Sequence, residues 1–245
     1  MPPPCKAIVT GHSRGLGAAI AEQFLANGIP VLGCARRGNA ELAARFPALF
    51  SQAPLDLGDA TALAAWLDGP SLGQFCADTE TIFLVNNAGT LGPIGPAQTQ
   101  PASEIAHAVQ INVAAPLMLT STLARVHPGA LRVLHVSSGA ARAPYAGWSV
   151  YCATKAALDH HARAMAADQR ADLRICSLAP GVIDTDMQTT LRSTPETHFP
   201  MLKKFQKLKN DNLLTPPHEA ARRIVAYLRD ASFGSALIAD LREIP

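Results

Sequence analysis

Residues 6–17 read Lys6-Ala7-Ile8-Val9-Thr10-Gly11-His12-Ser13-Arg14-Gly15-Leu16-Gly17. The apolar run at 6–10 predicts a strand, and 16–27 predicts a helix that ends near Gly28. Between them the glycines stand as Gly-x-x-x-Gly-x-Gly, a spacing that differs from the Gly-x-Gly-x-x-Gly of other dinucleotide-binding turns. Glycine permits a tight turn and lets backbone approach a pyrophosphate, which sits at the positive N-terminus of the following helix. A glycine cluster alone also fits a plain loop. Its place at the first strand-to-helix turn of the chain favours the phosphate reading.

Outward from this turn one rhythm repeats, a short apolar run followed by a longer alanine-rich stretch. It predicts strands at 30–35, 51–55, 81–85, 131–137, 173–178 and 236–239. Helices are expected at 40–46, 59–67, 103–126, 150–170 and 218–229, with Asp59 at the start of its helix. This alternation implies an α/β fold, a doubly wound parallel sheet of about seven strands with helices on both faces. No repeat or linker divides the chain, so 1–245 is read as a single domain. The longest stretch without a strand, 180–217, holds Pro195 and Pro200. Within it Leu202, Phe205 and Leu208 recur at helical spacing, so 185–215 is expected to form a substrate-covering loop and helix. Lys203, Lys204, Lys207 and Lys209 read as its solvated face.

Composition narrows the class. Of 245 residues, 48% are hydrophobic and 16% charged, too apolar and too weakly charged for a disordered chain. A net charge of +2 without a basic run argues against a nucleic-acid partner. Cys5, Cys34, Cys76, Cys152 and Cys176 are widely spaced, with no CxxC pair. They read as reduced thiols of a cytoplasmic protein, not as a disulfide framework or a zinc site. Residues 1–5 lack the charged and apolar parts of a secretory leader, and no apolar stretch nears the ~18 residues of a membrane span. His12, His160 and His161 have no carboxylate or cysteine at ligand spacing, so no metal site is expected. His160 and His161 read as helix-surface or interface residues.

Further motifs follow the glycine turn in order. Asp56-Leu57 follows the third predicted strand and Asn86-Asn87-Ala88-Gly89 the fourth. Ile111-Asn112-Val113 lies in a long helix, and Ser138 stands thirteen residues before Tyr151 in a Tyr-x-x-x-Lys pair with Lys155. Pro180-Gly181-Val182-Ile183-Asp184-Thr185 follows the sixth strand. Together these resemble the short-chain dehydrogenase/reductase family over almost the whole chain. The resemblance implies a Rossmann-type fold and a nicotinamide cofactor, held first by Gly11, Ser13, Arg14, Gly15, Leu16 and Gly17. It further implies adenine contact at Asp56 and Leu57, and cofactor contact at Asn87, Ala88 and Gly89. Pro180, Gly181, Ile183 and Thr185 would meet nicotinamide and phosphate. Asn112, Ser138, Tyr151 and Lys155 match the catalytic set, with Tyr151 and Lys155 also touching the cofactor. Asn112 is expected to join a proton relay through a local helix distortion and a bound water.

Tyr151 and Lys155 project from one face of their helix. A phenol titrates near ~10, and a neighbouring ammonium together with an oxidised nicotinamide is expected to lower that value. Tyr151 would then give a proton to a carbonyl oxygen that Ser138 also bonds. Ser137 is adjacent, but strand alternation sends it to the opposite side.

The second predicted strand ends Gly33-Cys34-Ala35-Arg36-Arg37. An NAD enzyme normally carries Asp or Glu here, whereas this chain has Ala35 and no carboxylate until Glu41. Arg36 and Arg14 are expected to converge on a 2′-phosphate, which guanidinium groups bind bidentately, with Arg37 beside them as a cofactor-binding or a surface residue, so the cofactor is read as NADP(H). The run Asp184-Thr185-Asp186-Met187-Gln188 narrows the resemblance to the branch that reduces sepiapterin and benzil. In that branch a C-terminal aspartate anchors the pterin, and Asp240 falls near that place. Leu91, Ile94, Tyr145, Trp148, Met187, Leu191 and Phe205 are expected to wall an apolar pocket, suiting a hydrophobic or aromatic ketone or diketone.

The expectation is thus an NADPH-dependent carbonyl reductase with a small-molecule substrate. A 3-ketoacyl or hydroxysteroid-type reductase is the alternative within enzymes, and an NADP(H)-sensing regulator the alternative outside them. The intact Ser138, Tyr151 and Lys155 favour an enzyme. The family pairs its two long helices across a two-fold axis, and the alanines at 103–126 and 150–170 would permit that approach. Leu241-Arg242 replaces the family's usual double glycine near the last strand, which favours a homodimer over a tetramer.

Overall fold

In the computed structural model, which describes residues 4–244, the strands are β1 (Cys5–Thr10), β2 (Val31–Ala35), β3 (Phe50–Pro54), β4 (Thr81–Asn86), β5 (Ala130–Val136), β6 (Leu173–Ala179) and β7 (Ile238–Asp240). They form one parallel sheet in the order β3-β2-β1-β4-β5-β6-β7. Alternation explains the apolar runs. In β1, Ala7 and Val9 enter the core on one face while Ile8 enters the core on the other. β4 repeats this with Phe83 and Val85 against Ile82 and Leu84. A strand buried on both faces reads as a nearly continuous apolar run.

The helices cover both faces. α1 (Gly15–Ala26) and α2 (Ala40–Arg45) flank one side. α3 (Ala60–Asp68) and α4 (Ser71–Cys76) pack on the other. Asp59 caps α3 by accepting the Ala62 amide at 2.9 Å. The helix expected over 103–126 is divided: α5 (Ala102–Val109) and α6 (Ala115–Val126) are joined by a π-helical turn, Gln110–Ala114, that holds Asn112. α7 (Ser149–Ala167) follows β5. α8 (Asp186–Arg192) and α9 (Leu202–Asn210) occupy the long strandless stretch, and α10 (Pro217–Arg229) packs against α1.

Two short helices, α4 and α8, lie where no helix was predicted. Each is about two turns or less, and such a segment is stabilised by its packing rather than by its own propensity. The last strand is β7 at Ile238–Asp240 rather than 236–239.

The chain lays β2 and β3 outward from β1, then returns to place β4 on the other side of β1. A crevice therefore opens beyond the carboxyl ends of β1 and β4, which is where open α/β sheets take ligands. Among the described residues no helix is long and apolar enough to cross a membrane. All five cysteines are unpaired.

Candidate active site

The glycine turn leaves β1 and enters α1 at the mouth of this crevice. Gly11 has φ +72° and Gly15 has φ +58°, left-handed conformations that a side chain would strain. A Cβ on Gly17 would overlap the Gly11 carbonyl and the Asn87 amide, so this packing requires glycine. Arg14 precedes α1 in extended conformation and its side chain caps nothing. The first amides of α1 are thus left for an anion at the positive end of the helix. Leu16 is buried in the core and fixes the turn from below. The Asn87 and Ala88 amides donate to the Thr10 hydroxyl at 2.9 and 3.0 Å, and the Asn87 side chain donates to the Thr10 carbonyl at 2.9 Å. Thr10, not singled out from sequence, therefore ties the glycine turn to the Asn87-Ala88-Gly89 loop. Thr185 brings the Pro180–Thr185 segment against Gly15, where a Cβ would sit 3.3 Å from its methyl.

Leu57 is buried beside Gln110, whose amide donates to the Leu57 carbonyl at 3.2 Å. Asp56 is exposed and accepts the Gly58 amide at 2.9 Å. Arg36 and Arg37 are exposed just beyond β2, with Ala35 buried where a carboxylate would reject a phosphate. A bare glycine cradle, open helix amides and this arginine pair fit an NADP-type dinucleotide. Ser13 lies within the turn and Gly181 has φ +84° in the facing segment, with Ile183 buried behind it.

Asn112 explains the π turn. Its Oδ1 accepts the Thr90 amide at 2.8 Å, and its Nδ2 donates to the Thr90 carbonyl at 2.9 Å and to the Thr154 hydroxyl at 3.1 Å. One buried carboxamide thereby joins the α5–α6 break, the loop after β4 and α7. The extra residue of a π turn is the cost of pointing that side chain inward.

Ser138, Tyr151 and Lys155 meet beside this junction. Tyr151 is buried, with Ser138 close enough to pull its phenol down, but burial outweighs that and pushes the phenol up to about 12. Lys155 is buried and donates from Nζ to the Val136 carbonyl at 2.8 Å, its Nζ lying 5.7 Å from the Tyr151 ring centre. Burial pushes Lys155 down to about 8, opposed by Asp159. In the cofactor-free protein desolvation of the phenol therefore dominates; the expected lowering requires the ammonium and the oxidised nicotinamide together. The expectation that Ser137 turns to the opposite side is corrected: alternation places it with His135 on the α7 side of the sheet, where its hydroxyl donates to Asp159 Oδ1 at 2.7 Å.

The seven residues expected to wall the pocket lie in one cluster over Tyr151. Trp148 is its centre, with ring centres 5.1 Å from Tyr151, 5.6 Å from Tyr145 and 5.5 Å from Phe205. Phe199, which the sequence reading missed, is fully buried with its ring centre 4.6 Å from Trp148. The Trp148 indole N–H is buried without a partner. α8 and α9 supply Met187, Leu191 and Phe205 to this wall.

Arg14, largely exposed, pairs with Asp186 of α8 at 2.9 Å. Two further expectations are corrected. Asp240 is not a free anchor: both its oxygens hold Arg242, at 2.8 and 2.6 Å, and Oδ1 also accepts the Arg242 amide at 3.0 Å. That guanidinium holds the Asp240 carboxyl below its ordinary range. His161 is not a plain surface residue. Its Nδ1 lies 3.0 Å from Nε2 of the fully buried His135, whose Nδ1 lies 3.1 Å from the Asn86 amide. Burial, His161 and Lys155 together drive His135 down to about 3. His160 is exposed, as read. His12 is fully buried and bonds Gln52 at 2.9 Å, its ring filling the space that Gly33 leaves.

Asp159, like Thr10 and Phe199, is not singled out by the sequence. Its lack of exposure is a tertiary fact, although its place one turn after Lys155 was visible.

Comparison with known proteins agrees with this geometry. The profile of the family described as short chain dehydrogenase matches residues 6–196. A benzil reductase ((S)-benzoin forming) of Bacillus cereus is 34% identical over 236 residues, covering 92% of this chain and 94% of that protein. A sepiapterin reductase of Meriones unguiculatus is 32% identical over 252 residues, covering 95% of this chain and 94% of that one. A solved short-chain dehydrogenase/reductase from Burkholderia vietnamiensis is 46% identical, with a TM-score of 0.72 and full coverage of both chains.

Proposed function

The chain belongs to the short-chain dehydrogenase/reductase family, and from that premise we propose an NADPH-dependent carbonyl reductase for hydrophobic or aromatic ketones and diketones. The observation that carries this reading is the Tyr151 phenol, buried beside Ser138 under a wall of aromatic rings.

When bound, NADPH supplies the hydride. The chain's residues do the rest. The glycine turn and the open amides of α1 hold the pyrophosphate. Arg36 and Arg37 hold the 2′-phosphate, and Asp56 with Leu57 flank the adenine. Asn87, Ala88 and Gly89 line the crevice floor, while Pro180, Gly181, Ile183 and Thr185 close its far side. Ser138 donates to the carbonyl oxygen and Tyr151 gives it a proton. Burial keeps the phenol protonated at neutral pH, the form that reduction consumes.

Substrate class follows from what lines the cluster. Tyr145, Trp148 and Met187 form apolar, largely aromatic surroundings beside Tyr151, which suits a flat aromatic diketone. A pterin would need a free carboxylate for its amino groups, and Asp240 is already committed to Arg242. The segment 185–215, with α8 and α9, serves as the cover of this pocket. We read the protein as a cytoplasmic homodimer paired through α5, α6 and α7. Exposed Ala106 and Val109 on α5, and Ala153 and Ala164 on α7, support that reading. Light scattering tests it: a mass near the 25.8 kDa of one chain refutes the dimer, and four times that mass refutes the chosen interface.

The decisive assay measures NADPH consumption with aromatic diketones, pterins, quinones, ketosteroids and acetoacetyl thioesters. Turnover should be fastest with the diketones. A preference for acetoacetyl thioesters, or no consumption with any carbonyl, overturns the reading.

A further inference from the structure

Beneath the catalytic residues lies a buried carboxylate that the reaction as described above does not use. Asp159 follows Tyr151 and Lys155 at intervals of four on α7, so the three side chains share one helix face. Its side chain is 6% exposed. Oδ1 accepts hydroxyl protons from Ser137, at the end of β5, and from Ser177 of β6, each at 2.7 Å. Oδ2 receives the Arg142 Nε at 3.3 Å, and Arg142 in turn donates to the Ala239 carbonyl at the β6–β7 edge at 3.0 Å.

These contacts converge on the catalytic corner. Ser137 immediately precedes Ser138, and Val136, the residue before it, supplies the carbonyl that holds Lys155 Nζ. Arg142 closes the short helical turn that begins after Ser138. We propose that Asp159 is a positioning residue of the catalytic centre: its carboxylate clamps the Val136–Ser138 corner to α7 and is the counter-charge of the buried Lys155. The proposal rests on the reading of Ser138, Tyr151 and Lys155 as the reacting set.

The surroundings of Lys155 leave Asp159 that part. On its own helix Lys155 has Tyr151, which is neutral at physiological pH, and half-buried His161 one turn and a half further on. From β5 comes His135, held neutral by burial and by Lys155 itself. From the π turn comes the neutral Asn112, whose Oδ1 shares with Lys155 Nζ the space beside Gly89. β6 contributes the Ser177 hydroxyl, which is neutral and donates to Asp159. Arg142 is the other charge in contact with Asp159, and on the β7 side Asp240 is neutralised by Arg242. A buried ammonium without a counter-charge loses its proton. Asp159 opposes that loss, and Arg142, partly exposed, keeps the carboxylate itself tolerable in the core.

The test reads ionisation as well as rate. Lysine labelled with 13C at Cε allows Lys155 to be titrated by NMR in the cofactor-free protein. In Asp159→Asn the Lys155 midpoint should fall by about one pH unit, as expected for one charge removed at helical spacing. The alkaline limb of kcat for carbonyl reduction should move down with it, and kcat should drop ~10-fold with KM little changed. Asp159→Glu, which restores the charge, should restore the limb. Should Asp159→Asn fail to fold, Arg142→Gln decides: losing the competing guanidinium should raise the Lys155 midpoint. A midpoint unmoved in the folded variants, or moved the opposite way, overturns the proposal. Because the titration uses neither substrate nor cofactor, its failure counts against Asp159 alone, whereas absence of NADPH turnover counts against the proposed function.

Discussion

Tyr151 is where burial and charge contend for a single proton. Phenol desolvation favours the neutral acid, and Ser138 pulls the other way with less effect. A proton donor in that state suits reduction, and it makes the hydroxyl indispensable while the ring is only packing. Tyr151→Phe should slow the chemical step ~100-fold or more and leave NADPH affinity almost unchanged. Near-wild-type turnover by that variant would remove Tyr151 from the reaction. On the proposed reading, Arg36, exposed just beyond β2, would act on the cofactor through charge without burial. NADPH should bind at least tenfold more tightly than NADH, ~1.4 kcal/mol, and Arg36→Ala should narrow the gap by weakening NADPH alone. Equal affinities in the unaltered protein would show that the end of β2 does not read the 2′-phosphate. Arg14 is a different case. Its charge was legible in the sequence, but its pairing with Asp186 depends on where α8 comes to rest.

Elements differ in how much of their form is local. The β1–turn–α1 unit is written in its own residues, because three glycines answer to left-handed backbone and to the contact with Gly11 and Asn87. Gly17→Ala forces that contact apart. Dye-free calorimetric titration should find NADPH binding weakened at least ~10-fold, as positioning of phosphate donors is lost by shifts near 1 Å. Unchanged affinity and stability in Gly17→Ala would mean that the turn relaxes and that its close packing is incidental. The Asp59 cap of α3 was equally local and equally legible. The π turn was legible only by resemblance, since no periodicity in 103–126 marks where a residue is inserted. Its cause is the tertiary demand of Thr90 and Thr154 on Asn112. α8 and α4 escaped for the same kind of reason, being too short to form without the surface they pack on.

Taken whole, the molecule buries histidines at several points, and they share one sign of pH dependence. Burial lowers His12, His127, His135 and His161, His135 to about 3. Below the ordinary value of 6.5 the unfolded chain takes up protons that the folded chain refuses, so stability is lost as pH falls through that window. Each refused proton costs about 1.4 kcal/mol per pH unit. Thermal unfolding should therefore show a falling midpoint from pH 6.5 toward 4, and His135→Gln should make that fall shallower. An equal slope in wild type and variant would mean that His135 does not titrate differently on unfolding.

The apolar runs of the strands, the glycine turn and the order of motifs were enough to determine the parallel sheet and the crevice, and to single out the residues proposed as the catalytic set. They are local or periodic signals, readable within one segment of the chain. What only the tertiary structure decided is which polar groups face one another. Asp240 reads as a free carboxylate until Arg242 folds onto it, and His161 reads as a surface residue until His135 lies beneath it. Phe199 reads as loop until Trp148 stacks on it, and Asp159 reads as one more polar helix residue until two serines from neighbouring strands donate to it. Such pairings join residues far apart in the chain, and their energies depend on burial that no single segment possesses before the sheet and helices close over it.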